Sequence, residues 1–242
     1  MARLYHVSDL HFGRADHEAL NWFAARVREE RPDAVIFTGD VTMRARSREY
    51  AAAEAWLAGL GVPVSIEVGN HDLPYFNPIA RIFRPYARYS RLERAVERVL
   101  DVEGVWLVPL RTVSRAQWRW NWSKGVVRRR SLEQAIALLR SRPPGHAALV
   151  ACHHPLVDPL NLESTARTRG GEEALAALAE AGADAVLSGH VHDPFDIVHT
   201  VGSANVRLIG AGTLSERLRA TRPSFNELSV ENGRISVKLL TK

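Results

Sequence analysis

The stretch Val62-Pro63-Val64-Ser65-Ile66-Glu67-Val68-Gly69-Asn70-His71-Asp72 decides the fold. Its first seven residues form an apolar run that reads as a buried strand, and Gly69 ends it in a turn. A strand that stops on a glycine and then offers Asn, His and Asp places polar chemistry at a sheet edge. Four other clusters each follow an apolar run in the same way: Asp9-Leu10-His11, Gly39-Asp40, His153-His154 and Gly189-His190-Val191-His192.

Working outward, residues 3–8 read as a strand and 17–30 as a helix, with Leu20, Phe23, Ala24 and Val27 at helical spacing. Ala34–Phe37 is a buried strand delivering Thr38-Gly39-Asp40. A helix over about 47–60 opens on a Ser47 cap and stops at Gly59 or Gly61. With the strand before Gly69 this is βαβαβ, the pattern of a parallel sheet with helices on its faces. Such sheets bind ligands at the carboxyl ends of their strands, where Asp9, Asp40 and Asn70 sit.

Beyond that point, residues 74–86 read as loop with short helix, because of Pro74, Pro78 and Pro85. An amphipathic helix follows at 88–100 and a strand at Val105–Leu110. The basic segment 111–130 carries Trp118, Trp120 and Trp122 and reads as an inserted loop or cap. Ser131 with Gln134 reads as a capping box. The strand 146–151 delivers His153-His154. A polar loop with Arg167 and Arg169 leads to a helix at 171–181, and a strand at 183–187 then delivers His190 and His192. Four strands close the chain, at about 195–201, 206–210, 225–231 and 234–240, the last two joined by an Asn232-Gly233 hairpin turn. No repeat or linker interrupts 1–242, which reads as a single domain.

Composition bounds the rest. The 242 residues are 46% hydrophobic and 24% charged, which is globular composition. Of 32 basic residues only Lys124, Lys238 and Lys242 are lysine, so 29 are arginine, and they are spread along the chain. That spread favours an arginine-rich background over a nucleic-acid footprint. One cysteine, Cys152, excludes a disulfide framework. No apolar run approaches ~18 residues. These features read as a cytoplasmic protein with no membrane contact; a homodimer stays open.

The five clusters hold only carboxylates, imidazoles and an amide: Asp9, His11, Asp40, Asn70, His153, His190 and His192. A lone Asp at a strand end is usually a turn or cap residue, so the set carries the argument and no single member does. Seven donors are too many for one ion, whereas two ions sharing a carboxylate fit the count. A mixed nitrogen and oxygen set without sulfur suits Mn, Fe, Zn or Ni. The i, i+2 spacings Asp9–His11 and His190–His192 put both side chains on one side of a strand, or divide them between two centres if the backbone turns. His153, nearer its strand, is preferred to His154 as donor. His6, His17, His146 and His199 read as fold or surface residues and Cys152 as a small buried filler.

The order Asp-x-His, Gly-Asp, Gly-Asn-His-Asp, His-His-Pro, Gly-His-x-His closely resembles the calcineurin-like metallophosphoesterase superfamily, over residues 9–192. The resemblance implies a four-layer αββα sandwich of two mixed sheets flanked by helices, with two divalent or trivalent transition-metal ions at the sheet ends. Carried over by position, Asp9, His11, Asp40 and His192 would hold one ion. Asp40, Asn70, His153 and His190 would hold the other, with Asp40 bridging. His71 would be the catalytic acid facing substrate, steadied by Asp72. The implied reaction is phosphoric ester hydrolysis by a metal-bridging hydroxide.

The wording of the motifs resembles the bacterial branch of class III cyclic nucleotide phosphodiesterases and glycerophosphodiesterases, which implies small phosphodiester substrates. Asp193 departs from that branch, which often has a basic residue before the proline; this weakens a cyclic nucleotide assignment. Ala211–Ser215 with Ser224–Asn226 resembles a loop of the branch that returns near the site, and equally reads as strand-end turn chemistry. Arg81, Arg84, Arg88 and Arg91 read as a solvated face. The competing readings are a phosphomonoesterase, a nuclease whose tryptophans stack bases, or a non-catalytic scaffold.

Overall fold

A computed structural model describes residues 1–98, 100–114, 123–159 and 168–242. Trp118, Trp120, Trp122, Arg167 and Val99 lie outside the described residues.

The first half builds the expected parallel unit. Strand β1 (Ala2–Val7) is followed by α1 (His17–Glu30), β2 (Ala34–Phe37), α2 (Ser47–Ala58), β3 (Val64–Ile66), a single 3-10 turn over Asn70–Asp72, α3 (Pro78–Phe83) and α4 (Ala87–Val96). Leu4 to Val7 of β1 run parallel to Ala34 to Phe37 of β2, and β2 runs parallel to β3. The last hairpin, β9 (Ser224–Glu231) and β10 (Arg234–Thr241), adds antiparallel to β1, giving the order β10-β9-β1-β2-β3. Asn232 and Gly233 both have positive φ, 50° and 75°, as a tight hairpin turn needs.

The second half repeats the logic. Strands β4 (Val105–Pro109), β5 (Ala147–Ala151), β6 (Ala185–Ser188) and β8 (Ala204–Gly210) are parallel, and β7 (Phe195–Val201) closes the edge antiparallel to β8. Helices α5 (Arg129–Arg140) and α6 (Gly171–Glu180) cover one face.

Every side chain of β2, β5 and β6 is buried, because both faces of these strands are covered. On one face of the first sheet, Tyr5 and Phe37 pack in one core with Phe23 of α1, Leu57 of α2 and Tyr89 of α4. The other face, with Leu4, Ile36 and Leu228, meets Leu149, Leu187 and Ile209 of the second sheet. This is the four-layer αββα sandwich. Each of those six aliphatic residues contributes roughly 1.5–3 kcal/mol of burial, and a one-residue register slip would turn it outward.

Local start signals were less dependable. Helix α2 has Arg46, not Ser47, at its N-cap; the buried Glu49 carboxylate accepts from the Arg44 and Arg46 amides and fixes the turn. Helix α5 begins at Arg129, two residues before Ser131. The Ser131 hydroxyl instead bonds the backbone of Arg111 in both directions. Arg81 is buried, not solvated, and donates to the Pro74 carbonyl.

Candidate metal centre at the carboxyl ends of both sheets

Parallel pairing sets the first three clusters side by side. The ladder of β1 and β2 continues past both strands: the Asp9 amide donates to the Gly39 carbonyl, and the His11 amide to that of Asp40. The second sheet brings its strand ends to the same place, where the His190 amide donates to Asp9 Oδ2 at 2.8 Å. Gly189 makes the approach possible, since a methyl there would overlap the Ser8 hydroxyl. A methyl on Gly69 would likewise overlap the Asp40 amide and carboxylate.

Asp9, His11, Asp40, His190 and His192 all have left-handed backbone, with φ between 46° and 70°. For residues other than glycine this costs of order 1–3 kcal/mol each and persists only where the surroundings impose it. It turns the backbone within both i, i+2 pairs, the second of the two geometries their spacing allows. β1 ends at Val7 and β6 at Ser188, so neither pair lies on a strand. Asp9 and His11 stay together, with Oδ1 and Nε2 3.4 Å apart. The other pair divides: His192 faces Asp9 at 3.1 Å, while His190 packs against the His153 ring at 5.1 Å between centroids.

Two carboxylates follow one rule. Asp9 gives Oδ2 to the His190 amide and leaves Oδ1, buried and without a hydrogen bond, facing His11 and His192. Asp40 gives Oδ1 to the His71 amide at 2.7 Å and leaves Oδ2 between His153 Nε2 at 3.4 Å and His11 Nε2 at 3.8 Å. His153 Nε2 is also 3.1 Å from Asn70 Oδ1.

Three imidazoles obey a matching rule. His153, His192 and His71 direct Nδ1 at the carbonyls of Thr38 (2.8 Å), Arg217 (2.6 Å) and Met43 (2.7 Å). Each Nδ1–H is then donated outward, leaving an Nε2 lone pair for the centre. His11 is the exception, with Nδ1 buried and unpartnered. His154 has Nδ1 at Thr112 Oγ1 and Nε2 at the Ser123 carbonyl, so both its nitrogens are already used.

The charges are strongly interdependent. Burial pushes the Asp9 and Asp40 carboxyls up, but the neighbouring histidines outweigh it and hold both well below the usual carboxylate range. Burial pulls His153 down, yet the Asp40 carboxylate raises it to about 9. His190, buried and beside His153, is lowered to about 3. The Asp9 and Asp40 carboxylates are thus ionised, and the extra proton on His153 is one that a cation at Nε2 would displace. Three-residue groups with donor atoms within 4.8 Å of one another are Asp9–His11–His192, Asp9–Asp40–His153, His11–Asp40–His71 and His153–His154–His190. The orphaned Asp9 oxygen and the converging nitrogen and oxygen donors fit a pair of cations.

Asp72 does not do what its place in the chain suggested. Its carboxylate accepts from the amides of Gly69 (2.9 Å), Thr42 (2.8 Å) and Val41 (3.3 Å), and from the Thr42 hydroxyl (2.9 Å). The His71 ring is held by the Met43 carbonyl instead. Asp72 therefore ties the β2 and β3 loops together.

The segment 211–217 does return to the site. Thr213 Oγ1 donates to the Asp9 carbonyl at 2.6 Å, and Ser8 and Thr213 form a parallel bridge. Arg217, which the sequence reading did not single out, reaches inward: its Nη1 donates to His71 Nε2 at 3.0 Å and lies 3.3 Å from His11 Nε2. Asp193 faces away, its Oδ1 accepting from the amides of Ala220 and Thr221. No described helix is long and apolar enough to cross a membrane.

A sequence model described as calcineurin-like phosphoesterase matches residues 2–194. The glycerophosphodiester phosphodiesterase GpdQ of Enterobacter lignolyticus is 32% identical over 92 residues, 31% of this chain and 33% of that protein. A probable cyclic nucleotide phosphodiesterase of Rhodopseudomonas palustris is 28% identical over 187 residues, 76% of this chain. The chain spans 66% of that relative's length. A dimetal phosphatase from Danio rerio superposes with a TM-score of 0.67 at 15% identity, over 98% of this chain and 95% of that one, a likeness of fold.

Proposed function

The chain belongs to the calcineurin-like phosphoesterases, and from that premise we propose that this metal-dependent hydrolase cleaves small phosphodiesters with poor leaving groups. The relatives at 32% and 28% identity are both named for diester hydrolysis, of glycerophosphodiesters and cyclic nucleotides. In this reading Asp9, His11, Asp40 and His192 hold one ion, and Asp40, Asn70, His153 and His190 the other. The donor set suits Mn, Fe, Zn or Ni. A bound ion pair supplies an activated water and neutralises charge on the phosphate oxygens.

The protein's own part is positioning and proton delivery. Asp40 keeps one oxygen for the centre because the His71 amide occupies the other. The outward Nδ1 bonds of His153 and His192 fix their rings, so no tautomer has to change when substrate arrives.

The observation that carries the diester reading is the His71 ring. Nδ1 is tied to the Met43 carbonyl, and Nε2 faces the His11 and Arg217 side chains. With Nδ1–H committed, Nε2 can give up a proton only from the imidazolium, a state in which it no longer accepts from Arg217. An anionic phosphate beside it balances that charge, and the leaving alkoxide receives the proton. A good leaving group would not need it.

A substrate panel on Mn-reconstituted protein tests this. It compares bis-nitrophenyl phosphate, nitrophenyl phosphate, cyclic AMP, glycerophosphodiesters and single-stranded DNA. Faster turnover of small diesters than of monoester or DNA is expected, and the best natural diester names the substrate class. Preference for the monoester or DNA would overturn the substrate assignment while leaving the family intact.

A further inference from the structure

Asp193 stands between the last histidine pair and Pro194, and the structure gives it an anchoring contact. It is buried, and its Oδ1 accepts two backbone amides, Ala220 at 3.1 Å and Thr221 at 2.9 Å. Those amides belong to the segment that carries Arg217. The same segment is fixed at its other end: the Asp16 amide donates to the Leu214 carbonyl, the Glu216 amide to that of Arg14, and Ala15 bridges Ser215. Between these anchors the Arg217 carbonyl holds His192 Nδ1, and the Arg217 side chain turns back over the centre.

The guanidinium is half-buried, and among the described residues no carboxylate pairs with it. Its Nη1 instead spends its hydrogens on the imidazole lone pairs of His71 and His11. Imidazole nitrogens are weak compensation for a guanidinium drawn in from water. A phosphate oxygen is a stronger acceptor, and a planar guanidinium with donors to spare suits it. The acid at 193 and the arginine at 217 thus form one device: the acid pins the loop and the loop supplies the cation.

We propose that Arg217, carried on the loop that Asp193 anchors, binds a non-bridging phosphate oxygen of the substrate. The proposal rests on the phosphodiesterase reading of the site. It puts the binding cation within reach of His71 Nε2, so the group that gives the proton and the group that holds the anion face the same phosphate.

The test is calorimetric titration of inorganic phosphate into Mn-loaded wild type, Arg217→Ala and Arg217→Lys, with metal counted in each and KM and kcat measured on bis-nitrophenyl phosphate. Arg217→Ala should keep two ions per chain and weaken phosphate binding about 10–100-fold, the range of a charge-assisted hydrogen bond. KM should rise with it, and Arg217→Lys should recover part of the loss. Unchanged phosphate affinity in Arg217→Ala would overturn the proposal while wild-type diester turnover still stands. Loss of metal from both variants would also overturn it, since Arg217 would then be a structural support of His192. A fully loaded wild type that cleaves no ester would overturn the functional reading and this inference together.

Discussion

His71 and Asp72 are neighbours in the chain, yet the His71 ring bonds the Met43 carbonyl and the Asp72 carboxylate bonds the Gly69 and Thr42 amides. If His71 is the proton donor, His71→Ala should keep its metals and lose about 10²–10⁴-fold in turnover of an alkyl diester. Its loss on bis-nitrophenyl phosphate should be much smaller; equal losses on both would remove the acid role. Asp72 accepts four hydrogen bonds from two loops, so Asp72→Ala should cost about 2–5 kcal/mol by stranding buried amides, read by urea unfolding. A variant of unchanged stability with a shifted pH–rate profile would restore the ring-steadying role. The residue-level reading could single out its candidate donors because each stands on a loop just past an apolar strand. It missed Arg217 because one arginine among 29 has no local mark, and it mispaired Asp72 because adjacency in sequence does not predict which carbonyl an imidazole reaches.

At the scale of elements, strand positions were legible from apolar runs and helix positions from spacing. The loop paths were not, since five left-handed residues turn the backbone past the strand ends. Glycine supplies the room for that turn. Gly189→Ala should destabilise by about 1–3 kcal/mol through overpacking and reduce metal content, because its methyl would displace Ser8 and Asp9. Full metal occupancy in that variant would contradict the packing argument. Glu67, just past β3, gives a pH prediction of opposite sign to the usual carboxylate. Burial, then the neighbouring Glu97 carboxylate, raises its pKa to about 8. The folded state therefore holds a proton that the unfolded chain releases near ~4.5. This stabilisation is fully present below ~4.5 and is lost as pH rises through about 8. Relative to Glu67→Gln, wild type should lose denaturation midpoint between pH 5 and 9; a constant difference would contradict a buried protonated Glu67.

At the scale of the molecule, the sandwich gathers polar side chains from both sheets onto one edge. The βαβαβ periodicity showed the first sheet directly. The pairing of two sheets did not follow from periodicity and came from the resemblance of the motifs, because a contact such as His190 to Asp9 crosses 181 positions of chain. The central claim is that these ends form one two-ion site with Asp40 shared. The most direct measurement is metal stoichiometry by mass spectrometry on wild type and Asp40→Ala, with diester turnover followed on the same samples. Two ions per active wild-type chain, and fewer than one per inactive Asp40→Ala chain, is the result this account predicts. An Asp40→Ala protein that keeps two ions and its turnover, or a wild type that binds no more than one ion under every loading condition, would contradict it.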